Sequence, residues 1–443
     1  MFSLRSLALI GICALPVKVQ AQTQIISETP KTNQCYSISI ATNLKGTLKL
    51  VREGKPISVP ISAKNEHIYP EKVLQVNQGS IHKVARYYDK ANSSIEIGEN
   101  KMVRTLRDDR HLIVAQNNAE HTLRYCPAGP LTRTELELIA EHFDSLAITG
   151  LLPSKPVEIG GRWKIANSTT QELCLFDGLV AQTLEAQLKE VKDGLAIISI
   201  DGTANGIELG AAVKLEIHGT VQYDLLARII KEVQWNQKDF RDQGPASPAT
   251  EIESTTVLHR MALTEDPVSL NKVALSSVPQ ENDPQELLKQ ILTTEPGGRY
   301  SFLHNRDWHE VAATDRHLVM RLIDRGDFVM QVTIAVWTIV EPGKHTDPEE
   351  FKKAVSTSTG WEQEEIVEAG EVPTDEGRWL YRVTAKGELD GVKVVQNFFL
   401  LAGPQGQQLI FSFTMKPANA AKVATQDVSL INSVEFTDPL KKK

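Results

Sequence analysis

Short runs of alternating apolar and polar residues, broken repeatedly by turn formers, limit most what this chain can become. Between Gly46 and about Arg124 the runs 47–51, 57–61, 81–88, 95–97 and 111–115 alternate, and Glu53-Gly54-Lys55-Pro56 and Asn77-Gln78-Gly79 separate them. Residues two apart share one face of a strand, so the pattern predicts antiparallel sheet. The period then changes. Pro130 precedes Thr132-Arg133-Thr134-Glu135, a capping-box pattern, and Leu136, Ile139, Phe143 and Leu146 follow at helical spacing. One helix is expected to pack its apolar face on the sheet. Strand patterning resumes at Val157 and continues through 196–200, 212–217, a long run to Trp235, and 255–263. Residues 30–263 therefore read as a β-rich N-terminal domain with one packed helix.

Residues 264–298 combine Asp266-Pro267, Pro279 and Asp283-Pro284 with a single short helical stretch, which predicts an interdomain linker with a short helix. Beyond it, Phe328, Met330, Val332, Ile334 and Val336 share a strand face, as do Leu409, Phe411, Phe413 and Met415. Asp347 reads as an N-cap, with Pro348 at the first helical position and Glu349 and Glu350 in the first turn. Pro417 and the alanine-rich stretch to Ile431 predict a last helix, and Ser433-Val434-Glu435-Phe436 a last strand. Helices before, between and after a run of antiparallel strands describe an α/β sandwich, and the whole chain falls in the α+β class.

Residues 299–437 resemble the PsbP-like family, named for an extrinsic protein of photosystem II and shared with bacterial envelope proteins. The resemblance rests on Tyr300-Ser301-Phe302 followed by Trp308, the hairpin around Gly326-Asp327, the Asp347 helix, the pairing of 381–385 with 392–401, and the closing Ser433-Val434-Glu435-Phe436. Where the family often has proline in its Tyr-Ser-Phe-x-x-Pro-x-x-Trp opening, this chain has Asn305. The resemblance implies an α/β/α sandwich with an antiparallel sheet, with Tyr300, Phe302 and Trp308 as structural anchors. It implies binding or scaffolding, with no shared active site. The N-terminal region resembles the half-barrel lipoprotein carriers of bacterial envelopes in outline only, with no matching motif residues.

Arg5, the apolar stretch from Leu7 to Leu15, and Val19-Gln20-Ala21 have the layout of a cleavable signal peptide at 1–21. Lys18 interrupts the run too early for a spanning anchor, and Ile12 before Cys13 does not fit a lipoprotein signal. Export leaves Cys35, Cys126 and Cys174, so one is unpaired or pairs between chains. Cys35 and Cys126, both at strand ends, are the expected disulfide. Cys174 is the alternative partner, or a small buried hydrophobe.

The 443 residues carry a formal charge of −8, which becomes more negative once Arg5 and Lys18 leave, the wrong sign for neutralising phosphates. No nucleic-acid partner is expected. The sequence contains no Gly-x-Ser-x-Gly elbow, His-Glu-x-x-His helix, phosphate-binding glycine loop or Cys-x-x-Cys pair. Ser80-Ile81-His82-Lys83 fits Ser-x-x-Lys but lies in a strand, where residues three apart face opposite sides. His304, Asp307, His309 and His317, with Asp315 nearby, offer ligands suited to zinc or manganese. Their spacing neither supports nor excludes a site, and they read as loop residues flanking Trp308. Arg107-Asp108-Asp109-Arg110 reads as a charged turn, and Trp337 and Trp361 as core rather than groove walls. The basic tail 438–443 reads as solvated.

The expectation is an exported, non-enzymatic binding or assembly protein of the cell envelope, secreted or periplasmic. It uses no cofactor, has no transmembrane segment in the mature chain, and takes an envelope protein or a small apolar ligand as partner. Two alternatives stay open: a carrier of a lipid or other apolar ligand in the curved N-terminal sheet, and a hydrolase whose site the sequence does not display.

Overall fold

The computed structural model describes residues 23–52, 55–118, 122–140, 143–279, 283–358, 360–374, 378–423 and 425–437. The expected leader at 1–21 and the basic tail at 438–443 lie outside them. The fold is β-rich α+β, in two units with separate cores.

The first unit opens with β1 (Cys35–Arg52), β2 (Lys55–Asn77), β3 (Ser80–Tyr87), β4 (Lys90–Ile97), β5 (Asn100–Thr105), β6 (Leu112–Asn117) and β7 (Thr122–Tyr125). There follow α1 (Arg133–Leu138), β8 (Arg162–Lys164), α2 (Asn167–Leu173), β9 (Gly178–Gln182), β10 (Glu185–Lys192), β11 (Leu195–Glu208), β12 (Ala211–Asp224), β13 (Ile229–Arg241) and β14 (Ala249–Leu263). They form one antiparallel sheet in the order β7-β6-β3-β2-β1-β14-β13-β12-β11-β10-β8, with β4 and β5 branching from β2 and β9 from β11. Most neighbours are hairpin partners. Gln78-Gly79, Asp193-Gly194 and Leu209-Gly210 each place two residues at positive φ, the turn whose twist matches the flanking strands. The long-range closure is β1 with β14, where Cys35 lies opposite Leu263. At 23 residues β2 serves two neighbours: its positions 61–68 pair with β4 and 71–77 with β3, so the sheet forks.

Alternation on β12 turns Val213, Leu215, Ile217, Val221 and Tyr223 inward. Leu138, Ile139, Phe143, Ile148, Leu151, Leu173 and Phe176 fill the space against them, and Phe143 meets Trp235 edge-on at 5.4 Å. The capping box forms as read: Thr132 Oγ1 accepts the Glu135 N–H at 3.2 Å, and Glu135 Oε2 accepts the Thr132 N–H at 2.9 Å. The helix is shorter than its spacing predicted. It ends at Leu138, and Asp144 turns back to accept the Leu146 N–H at 3.0 Å. A second helix, α2, stands where strand was expected.

The turn at Asp144 is held by charge. Arg86, fully buried on β3, grips both Asp144 oxygens at 2.5 and 3.1 Å and donates to Glu71 Oε2 at 2.9 Å; Arg124 adds a contact to Asp144 at 2.8 Å. Burial would raise the Asp144 carboxyl, but Arg86 and Arg124 outweigh it and hold the group below the usual carboxylate range. Burial wins at Glu71, whose carboxyl is pushed up despite Arg86. A second buried pair, Arg260 with both oxygens of Glu28 at 2.8 Å, ties the residues before β1 to the sheet.

Residues 264–298 do more than link. Leu270, Leu275 and Val278 pack on the outer face of the sheet against Val114, Leu123 and Tyr125, and the short helix appears as α3 (Glu286–Lys289). Next comes β15 (Ile291–Thr294), which pairs with β16 (Tyr300–His304) and so already belongs to the second unit.

That unit continues with β17 (Trp308–Ala313), β18 (His317–Asp324), β19 (Asp327–Val336), α4 (Pro348–Ser356), β20 (Trp361–Glu371), β21 (Leu380–Leu389), β22 (Val392–Ala402), β23 (Gln408–Met415), α5 (Ala420–Val423), α6 (Gln426–Asn432) and β24 (Glu435–Phe436). Its main sheet is antiparallel, in the order β17-β18-β19-β23-β22-β21-β20. Asp347 caps α4 by accepting the Glu349 and Glu350 N–H groups, and Phe351 and Val355 pack this helix on one face with Tyr381, Val383 and Phe398. The small sheet β15-β16-β24 and α6 cover the other face through Tyr300, Phe302, Leu430 and Ile431.

The expected Cys35–Cys126 disulfide is not formed, and Cys174 is unbridged as well. Cys35 Sγ points to Asp266 Oδ1 at 3.4 Å, whereas Cys126 Sγ faces the Asp109 carbonyl at 3.9 Å. The two strand ends close separate hairpins, and Cys174 is buried under the sheet.

Candidate functional site

The units meet through backbone carbonyls. Arg133, from α1, donates to the carbonyls of Arg306 and Trp308 at 2.6 and 2.7 Å, and Arg306 in turn donates to the Arg124 carbonyl at 2.6 Å. Leu131 forms a parallel bridge with Ile291. On another side Arg321 reaches the Pro245 carbonyl, and Gly210 lies so close to the Gly326 oxygen that a Cβ there would clash.

Between these contacts an open cleft of about 1040 Å³ remains. Leu50, Ile57, Val59 and Ile97 line it from the β1, β2 and β4 tips; Val311, Ala312 and Val319 line it from β17 and β18; the loop 243–248 forms its floor. Strand β17 has β18 as its one described partner, so its other edge is open. Arg133 occupies the start of that edge through the Trp308 carbonyl, and Val311 and Ala312 lie beyond it. Arg321 stands at the wall with its guanidinium committed to Gln331 and Pro245. The site thus offers an open strand edge beside walls of mixed character, where Lys49, Glu99, Asn100 and Gln331 stand among the apolar side chains. An open strand edge can take up an extended chain by backbone hydrogen bonds.

The four metal candidates do not converge: among the described residues no three His, Cys, Asp or Glu side chains are placed to hold an ion. His304 is buried in β16, its ring nitrogens against Thr293 Oγ1 at 2.9 Å and the Asn305 carbonyl at 2.7 Å. His309 lies half-buried on β17, His317 is exposed beside Thr314, and Asp307 is exposed in the turn before Trp308. Trp308 itself is 1% exposed and meets Phe413 edge-on at 6.2 Å; Tyr300 and Phe302 are also buried. Trp337 packs on Phe351 and Trp361 on Phe398, both away from the cleft. Ser80 is exposed while Lys83 is buried against the Pro279 carbonyl, on opposite sides of the sheet. The cleft residues were missed because 57–61 and 95–97 read as ordinary strands, and nothing local tells which of their side chains face a second unit.

Burial, with Arg133 adding to it, pushes both the His304 and the His309 imidazole down to about 4. Each is neutral in the folded protein at pH values where an unfolded histidine, titrating near ~6.5, takes up a proton. The stability they support is full above about pH 6.5 and falls as the pH drops toward 4, because the unfolded chain then binds more protons. For His304 the loss should approach about 3 kcal/mol at the bottom of the window. Urea unfolding of the wild type and His304→Asn at about pH 7 and about pH 4.5 checks this. The variant should show the flatter dependence, and equal dependences would remove His304 as the cause.

No described helix is long and apolar enough to cross a membrane. No family model and no curated protein matches the chain. Solved structures similar to parts of it include cyanobacterial PsbP from Synechocystis, at 13% identity over 36% of this chain and 100% of that one, with a TM-score of 0.27. The Saccharomyces cerevisiae Ran-binding protein Mog1p is 14% identical over 34% of this chain and 96% of its own, with a TM-score of 0.25. Lipovitellin is 10% identical over 55% of this chain, with a TM-score of 0.33, and the match spans 27% of its length. A Bacteroides thetaiotaomicron protein is matched over 50% of its length. Each likeness is partial and at low TM-score.

Proposed function

We propose that this chain is an exported, non-enzymatic binding or assembly protein of the cell envelope, whose cleft holds an extended apolar segment of a partner protein. One observation carries the reading: half-buried apolar side chains from both units, among them Val59, Ile97 and Val319, line the cleft beside the open edge of β17, interspersed with polar groups such as Asn100 and Gln331. A partner segment would hydrogen-bond to that edge and set alternate side chains against Val59 and Ile97 on one wall and Val319 on the other. The leader layout at 1–21 supports export, and the resemblance to PsbP-like envelope proteins supports binding over chemistry. The strongly buried Arg86, Asp144 and Glu71 pair with one another, as do Arg260 and Glu28, which supports a structural part for these charges. An apolar carrier under the curved sheet would need Leu138, Phe143, Leu151 and Phe176 to vacate the core they now fill.

Photo-crosslinking in living cells tests it. A photoreactive residue at Val59 and another at Val319 should yield adducts with the same envelope partner, on a chain whose mature N-terminus is Gln22. Leu226, 94% exposed in the turn after β12, is the control and should yield none. No adduct from the cleft positions, or equal adducts from Leu226, would overturn the reading.

A further inference from the structure

A second cavity lies at the end of the C-terminal unit where β16 and β23 begin and β19 and β24 finish. It holds about 310 Å³, at the small end of the roughly 300–1,000 Å³ typical of ligand sites. Tyr300, Val336, Leu409 and Phe436 line it, Tyr300 and Leu409 being 1% and 2% exposed. Ile339 lines it too, yet is 73% exposed, so a large apolar side chain stands uncovered at the mouth.

The walls are pre-formed. Gln408, buried in the cavity wall, donates through Nε2 to the Thr338 carbonyl at 2.7 Å and the Thr346 hydroxyl at 2.9 Å, and its Oε1 accepts the Thr346 N–H at 2.9 Å. Those bonds fix both ends of the loop carrying Ile339. Gly406, at φ +81°, lets the opposite loop approach the Val340 carbonyl more closely than any Cβ would permit, and its own carbonyl accepts the Val340 N–H at 3.0 Å.

The charge at the cavity is already compensated. Arg299 is paired with Glu295 and donates to the Asp315 carbonyl, so no free charge awaits a ligand. The remaining polar side chains are neutral: the Tyr300 and Thr437 hydroxyls, exposed Gln405, and Gln407, whose Oε1 accepts the Gln405 N–H at 2.9 Å. A charged ligand would lose its hydration with nothing to replace it. An uncharged one loses little.

We propose that this cavity is a binding site for a small, uncharged, predominantly apolar molecule. It is separate from the interdomain cleft, and either can fail alone. The full-length protein is titrated with the neutral fluorophore N-phenyl-1-naphthylamine and with 1-anilinonaphthalene-8-sulfonate, which adds a sulfonate to the same scaffold. The neutral probe should bind saturably at one site, at least about tenfold tighter than the anion. Val336→Phe, which fills the cavity from its wall, should weaken it by about tenfold or more. Ile339→Glu puts a charge at the mouth from an exposed position, where it cannot disturb the core, and should weaken binding similarly. Absence of saturable binding in the wild type, equal affinity for the two probes, or unchanged affinity in both variants would overturn the assignment.

Discussion

Replacing Asp144 with alanine is expected to cost about 3–5 kcal/mol of stability, among the largest losses available to a single change in the N-terminal unit. The size follows from what is left behind. Arg86 is fully buried and Arg124 nearly so, and Asp144 meets the guanidinium groups of both. Without it Arg86 faces Glu71, a carboxylate that burial already pushes toward its neutral form, and the Ser145 hydroxyl at 3.2 Å, which carries no charge to offset the guanidinium. Removing one partner from a buried network strands the others in a low dielectric, which costs far more than the network adds over an apolar replacement. The double variant Arg86→Met with Asp144→Leu should therefore recover much of the loss. Thermal melts decide it: at about 2–4 °C per kcal/mol for a unit of this size, the single variant should melt roughly 10 °C lower. A double variant no more stable than the single would mean that the network itself, and not the stranded charge, holds the turn.

That network shows how far local sequence reaches. The run 81–88 reads as a strand, and its period of two places Arg86 on the same face as Val84 and Tyr88, both completely buried. An arginine in an inward register is a visible signal of a buried partner. Its partners Glu71 and Asp144 lie on other elements, and no spacing rule reaches them. Both helix caps were legible because each is made within four residues: Thr132 with Glu135, and Asp347 with Glu349 and Glu350. The length of the first helix was not, since its end is set by Arg86 and Arg124 pulling on Asp144 rather than by its own apolar spacing. The same limit explains the cysteines. Strand ends were recognisable for Cys35 and Cys126, but whether two ends meet depends on sheet order, and β1 pairs with β2 and β14 while β7 pairs with β6. Residues 264–298 looked like a linker because their prolines break every period. The apolar Leu270, Leu275 and Val278 cover a sheet face that only the assembled fold creates.

Trp308→Ala is the second large effect, expected at about 3–5 kcal/mol and confined to the C-terminal unit. The indole is 1% exposed and packs in a core made entirely of residues between Tyr300 and Val434, including Phe413 at 6.2 Å. Neighbours on sheet strands are fixed by their ladder bonds and collapse little into the space it would leave, so most of the cavity persists. The chain around it is fixed as well: the Trp308 carbonyl accepts from Arg133, and the Asp307 carbonyl accepts the Ile323 N–H at 2.9 Å. These bonds use the backbone and survive the substitution, so the cleft at β17 should keep its shape in the protein that remains folded. His309→Ala, next to it on the strand but half-buried, removes far less packing and should cost well under half as much. Urea unfolding followed by near-ultraviolet dichroism separates the cases: Trp308→Ala should split one transition into two, the C-terminal unit going first. A single transition shifted as a whole would show instead that the Arg133 contacts couple the two units, and a loss equal to that of His309→Ala would remove Trp308 as the anchor of this core.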